Sequence, residues 1–103
     1  MAGAFARVAK ISDVPPGTRK VAEAGGGSVL ICHTNGRFYA VSNICSHANE
    51  KLECGRLGRT WIACPLHGAR FELATGRAMN PPAVRPIATF EVRLVEDWIE
   101  ILL

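Results

Sequence analysis

Apolar residues along this chain fall into short runs of four to eight, separated by clusters of Gly, Pro, Asn, Asp and Ser. Residues 4–11 alternate apolar with small or polar side chains, as a half-buried strand does. Asp13-Val14-Pro15-Pro16-Gly17 reads as a turn. A short strand over 19–22 is stopped by Gly25-Gly26-Gly27. Residues 28–34 and 37–42 are rich in strand formers and meet at Asn35-Gly36, a strong hairpin signal. Further strands are predicted over 60–63 and 69–73, with Ala74-Thr75-Gly76 as the following turn. Asn80-Pro81-Pro82 breaks the chain again, and 89–95 and 98–103 form a last hairpin about Glu96-Asp97.

A helical period is not sustained anywhere, although residues 49–57 can hold one helical turn. No internal repeat is present. Strands roughly every 8–12 residues predict an all-β sandwich or small barrel. At 103 residues the chain makes one domain.

Composition adds exclusions. Hydrophobic residues are 49% and charged residues 20%, which is too apolar for a disordered chain. The net charge of +3 is small and no basic run stands out, which argues against a dedicated nucleic-acid binder. No stretch reaches the ~18 apolar residues of a membrane span. The first residues lack the apolar core of an export signal, so the expected location is cytoplasmic.

Thiols in a reducing compartment favour metal binding over disulfides. The four cysteines are Cys32, Cys45, Cys54 and Cys64, and the three histidines are His33, His47 and His67. Cys45-Ser46-His47 is a C-x-H pair and Cys64-Pro65-Leu66-His67 a C-x-x-H pair, both on predicted loops. Two thiolates and two imidazoles can hold one zinc ion or a 2Fe-2S cluster. Zinc fingers usually pair Cys with Cys and His with His, whereas each loop here carries one of each. That mixed pairing suits a cluster with both Cys on one iron and both His on the other.

Cys45-Ser46-His47 with Cys64-Pro65-Leu66-His67-Gly68 resembles the Rieske motif, C-x-H…C-P-x-H-G. The resemblance extends over Asn35-Gly36, Phe38-Tyr39-Ala40-Val41 and Arg70-Phe71-Glu72-Leu73-Ala74-Thr75-Gly76, most of the chain. It implies the all-β Rieske (ISP-like) fold in a single domain, 1–103, with a cluster-binding subdomain of about 43–80 inserted in a sandwich or small-barrel base. It also implies that Cys45 and Cys64 bind the inner iron, that His47 and His67 bind the outer one, and that Asn80-Pro81-Pro82-Ala83 covers the cluster. Two ferric ions, two sulfides and two thiolates sum to zero charge, so taking up one electron is easier than for a four-thiolate cluster.

High-potential Rieske proteins carry two more cysteines, where this chain has Glu50 and Leu66, and hydroxyls where it has Ala69 and Phe71. Fewer hydrogen bonds to sulfur lower the potential. The chain therefore resembles the ferredoxin component of multicomponent aromatic-ring-hydroxylating dioxygenases. A Rieske oxygenase would also need a catalytic mononuclear iron held by two His and a carboxylate. Only His33 remains, so the resemblance implies a carrier and not an enzyme. Its implied partners are an NAD(P)H-dependent flavin reductase and a terminal oxygenase, with the carrier itself monomeric. Two other readings are open: a zinc-stabilised interaction module, and the small subunit of a nitrite reductase, which shares the fold but typically lacks the ligands.

The remaining residues have ordinary expectations. His33 reads as a strand histidine, Cys32 as a small buried hydrophobe and Cys54 as a free thiol. Trp61 and Trp98 are expected in the core. Gly68 is expected to let backbone N–H groups approach a sulfur. Lys51, Arg56, Arg59 and Arg70, mixed with Glu50, Glu53 and Glu72, form either a solvated surface or a docking patch.

Overall fold

The computed structural model describes residues 3–46, 50–66, 68–81, 83 and 85–103. His47, His67 and Pro82 lie outside them. The described elements are nine strands and two single 3-10 turns: β1 (Phe5–Lys10), β2 (Arg19–Ala24), β3 (Gly27–Thr34), β4 (Arg37–Ser42), β5 (Trp61–Ala63), β6 (Arg70–Glu72), β7 (Thr89–Phe90), β8 (Val92–Val95) and β9 (Trp98–Leu102). The 3-10 turns are Ile11–Asp13 and Leu52–Cys54. All ladders are antiparallel, and the expected all-β class holds.

A four-stranded sheet in the order β2-β3-β4-β7 lies at the centre. A three-stranded sheet in the order β1-β9-β8 covers one face, and the pair β5-β6 lies over the other. Strand β3 explains the layering. Its Val29 and Ile31 join the core shared with Ile99 and Ile101 of β9. Its Leu30 and Cys32 join the opposite core with Cys45, Ile62, Cys64 and Phe71. A strand buried on both faces needs an unbroken apolar run, and Val29-Leu30-Ile31-Cys32 supplies it.

Two local features differ from the sequence expectation. Gly25-Gly26 does not merely stop β2; it is a two-residue hairpin turn, with both φ angles positive (61° and 78°) and Ala24 paired to Gly27. That is the same construction as Asn35-Gly36, with φ of 56° and 69°. The expected strand over 89–95 is also two strands. β7 pairs with β4 and β8 pairs with β9, so the chain passes from the central sheet to the outer one at Glu91.

The tryptophans are not in the core. Inner positions of β9 go to Ile99 and Ile101, which leaves Trp98 on the outer face beside Arg7 (4.8 Å) and Lys10 (5.4 Å). Trp61 is likewise half-buried, with the Arg70 guanidinium 4.3 Å over its ring. Both indoles use a cation over the ring face in place of core packing. His33 behaves as expected: its Nδ1 lies 2.6 Å from the Val14 carbonyl oxygen and its ring stacks on Phe38.

Candidate metal centre

Two loops lie on the side of the central sheet that β5 and β6 cover. The first begins where β4 ends. Cys45 N–H donates to the Glu50 carbonyl (2.8 Å), and Ile44 bridges to Lys51, which brings the chain on either side of 46–49 together. The second joins β5 to β6. Cys64 N–H donates to the Ala69 carbonyl (2.6 Å), closing the loop over 65–68. Each cysteine amide therefore bonds the carbonyl five residues on, and each cysteine sits where a rigid element gives way to a loop.

The two thiols come together. Both cysteines are about 1% exposed, within one apolar cluster that also holds Leu52, Ala69, Phe71 and Ala83. The Cys64 thiol is hydrogen-bonded to Cys45 and accepts a bond from the Leu66 backbone N–H. Burial pushes the Cys64 thiol up to about 11; the Leu66 bond opposes this, while Cys45 and the Glu50 charge add to it. Ferric iron reverses that balance, because a coordinated thiol is deprotonated outright. Adjacent buried sulfurs with one N–H already directed at sulfur thus suit a sulfide-bridged iron centre. Among the described residues, no group of three or more His, Cys, Asp or Glu converges on a single point; the thiol pair is the described part of the expected ligand set.

Surrounding residues fix this arrangement, and most carry no sequence signal. Asn43 is fully buried at the root of the first loop. Its amide donates to Ser28 Oγ (3.1 Å) and Glu53 Oε1 (2.9 Å), and its Oδ1 accepts from the Glu53 N–H (2.9 Å). Its backbone N–H donates to the Ser28 carbonyl (3.0 Å), and its carbonyl accepts from the Leu52 N–H (2.7 Å). Asn43 therefore ties the start of β3 to the turn that follows the loop. Ser46 Oγ donates to the Arg85 carbonyl (2.7 Å), linking the first loop to the proline-containing segment. Asn80 Oδ1 accepts from the Arg70 N–H (2.8 Å) at the start of β6. In the same segment Ala83 and Ile87 pack into the cysteine cluster.

Gly68 has a φ of +70°, a conformation that few side chains tolerate, and this by itself favours glycine here. Cys32 is fully buried, and burial raises its thiol to about 12 despite the charge of Arg19, which leaves it inert. Cys54 is exposed, and no disulfide involves any of the four cysteines.

Residues 4–91 match the family described as Rieske [2Fe-2S] domain. The chain belongs to the Rieske family. Its cofactor is accordingly a Rieske-type 2Fe-2S cluster, in agreement with the thiol pair. The chain is 36% identical to the ferredoxin component of biphenyl 2,3-dioxygenase of Rhodococcus jostii (strain RHA1), over 91% of this chain and 88% of that one. It superposes with TM-score 0.91 on the ferredoxin of carbazole 1,9a-dioxygenase from Nocardioides aromaticivorans IC177, at 31% identity, covering 96% and 97% of the two chains. A second solved structure, a complex of reduced oxygenase and oxidised ferredoxin in carbazole 1,9a-dioxygenase, matches this Rieske chain with TM-score 0.88 at 29% identity, covering 95% and 92%. Among the described residues, no helix is long and apolar enough to cross a membrane.

Proposed function

We propose that this Rieske protein is a one-electron carrier of an aromatic-ring dioxygenase system. It takes electrons singly from an NAD(P)H-dependent flavin reductase and passes them to a terminal oxygenase. The observation that carries this reading is the buried, hydrogen-bonded pair Cys45 and Cys64 at the tips of two anchored strands. Its near full-length likeness to dioxygenase ferredoxins supports the choice of system.

In this reading Cys45 and Cys64 hold the inner iron and His47 and His67 the outer one, within a subdomain of about 43–80 of the single domain 1–103. When bound, the cluster stores and releases one electron. The chain's own residues bury the thiolates, direct the Leu66 N–H at sulfur, and anchor both loops to strands. Beyond the four ligands only His33 is left, and it is engaged with Val14 and Phe38, so a two-histidine catalytic iron has no place here. The chain carries electrons and leaves oxygen chemistry to its partner. A monomer in the cytoplasm suits that task.

Iron and acid-labile sulfide analysis tests the proposal. Two of each per chain are expected, with a Rieske electron paramagnetic resonance signal on reduction. A colourless protein holding one zinc overturns it in favour of an interaction module. NAD(P)H together with a flavin reductase should then reduce the cluster, and failure with every such reductase would leave only the cluster assignment standing.

A further inference from the structure

Charge is divided unevenly along this chain. The segment between β4 and β7, residues 43–88, holds six Lys/Arg and three Glu. The rest holds six Lys/Arg and six Asp/Glu. The whole net charge of +3 therefore resides in the segment that carries both cysteine loops.

Within that segment the cations are the free partners. Glu72 pairs with Arg77 (3.8 Å) and Glu53 accepts from Asn43, which leaves Glu50 as the single exposed carboxylate of the segment without an ion pair among the described residues, against several such cations. Lys51, Arg70 and Arg85 are exposed, and among the described residues none of them forms an ion pair. All three lie in stretches of chain held next to the cysteine loops. Lys51 bridges Ile44, Arg70 follows the Ala69 carbonyl that holds Cys64, and the Arg85 carbonyl holds Ser46. The Arg70 guanidinium is positioned over Trp61, which orders it without neutralising it. Leu66 and Met79, 41% and 42% exposed, supply apolar surface at the same end.

We propose that the thiol end is a docking face for an acidic, apolar-centred surface of a redox protein, with Lys51, Arg70 and Arg85 as its cationic rim and Leu66 and Met79 as its apolar contacts. The proposal rests on the electron-carrier reading and gives the partner's docking surface its sign. Opposite charge speeds encounter, and apolar contact excludes water once the faces meet. The rim keeps its sign in both oxidation states, since a neutral oxidised cluster gains only one negative charge on reduction.

Stopped-flow oxidation of the dithionite-reduced protein tests this with two protein oxidants of opposite charge. Acidic plant plastocyanin and basic mitochondrial cytochrome c each accept one electron, and the cluster returns to its all-ferric state. Raising ionic strength from about 10 to about 200 mM should slow the plastocyanin reaction by about tenfold or more and quicken the cytochrome c reaction. The double variant Arg70→Glu/Arg85→Glu should reverse both trends. Arg37→Glu serves as control; Arg37 is exposed at the start of β4, about 17 Å along the strand from the end that leads to Cys45. It should change either rate less than twofold. Leu66→Ser should slow plastocyanin while leaving its salt dependence unchanged. Equal effects of Arg37→Glu and Arg70→Glu would reduce the proposal to net charge alone and overturn it, as would a faster reaction with cytochrome c at low salt. A normal Rieske spectrum and full reduction by dithionite in each variant separate this outcome from failure of the carrier reading itself.

Discussion

On the outer sheet, Glu100 of β9 lies between Arg7 of β1 and Arg93 of β8, each its register partner. Arg93 reaches it at 2.8 Å and Arg7 at 3.2 Å. The same two guanidiniums cover aromatic rings, Arg93 over Phe5 and Arg7 over Trp98. At the thiol end, Lys51, Arg70 and Arg85 form no ion pair among the described residues. One region has closed its electrostatics within the sheet, and the other has left its cations to a partner. Cross-strand pairing thus locks the outer sheet around one carboxylate, while the cations beside the cysteine loops are held in place without one.

Substitution can break this division, and the largest effect belongs to the thiols. Cys45→Ala or Cys64→Ala should abolish the cluster, read as loss of visible absorbance and of the Rieske signal, with iron content falling towards zero. A normal spectrum in either variant would remove that cysteine from the ligand set. Next comes Ile101→Ala in the core between the sheets. Its cost should be about 2–5 kcal/mol in urea unfolding, with an unchanged midpoint potential. A shifted potential would show that the scaffold and the thiol end are not separable.

Asn43→Ala sits at the junction. It strands the Glu53 N–H and the Ser28 hydroxyl at the root of the first loop. A loss of about 1–3 kcal/mol is expected, together with a changed spectrum, because the loop carrying Cys45 loses its anchor. The smallest effect should come from Glu100→Gln. Hydrogen bonds from Arg93, and then from Arg7, hold the Glu100 carboxyl below the usual range. A carboxyl depressed on folding contributes stability above its unfolded pKa, and that contribution fades as pH falls through the lowered value. As pH falls from about 5 through the region below 4, the variant should therefore lose less stability than the parent protein, measured by thermal melting.

Much of this architecture was legible in the sequence, for local reasons. Asn35-Gly36 specifies a tight turn by itself, and alternation in β1 and β9 marks one buried face. The thiol and imidazole spacing singled out two loops, and the structure brings their Cys45 and Cys64 together, while His47 and His67 lie outside the described residues. Gly25-Gly26-Gly27 was harder, because three consecutive glycines do not reveal which pair makes the turn. The break at Glu91 depends on which sheet each half joins, a tertiary fact that alternation over 89–95 does not contain. Trp98 was misplaced because outward and inward positions of β9 are both apolar at Trp98, Ile99, Ile101 and Leu102. Asn43 looks like any loop asparagine until burial and five hydrogen bonds reveal its place.

The pairing of Phe5 with Leu102 and of Lys10 with Trp98 has a kinetic consequence. Strand β1 precedes the meander, yet its hydrogen-bonded neighbour among the described residues is β9, with Arg7 and Glu100 of that pair 93 residues apart. The β2-β3-β4 meander can zip up through two-residue turns as soon as it emerges. The outer sheet must wait and then close the long loop that separates its strands. Folding of the covering sheet should be the slow phase, following formation of the central meander.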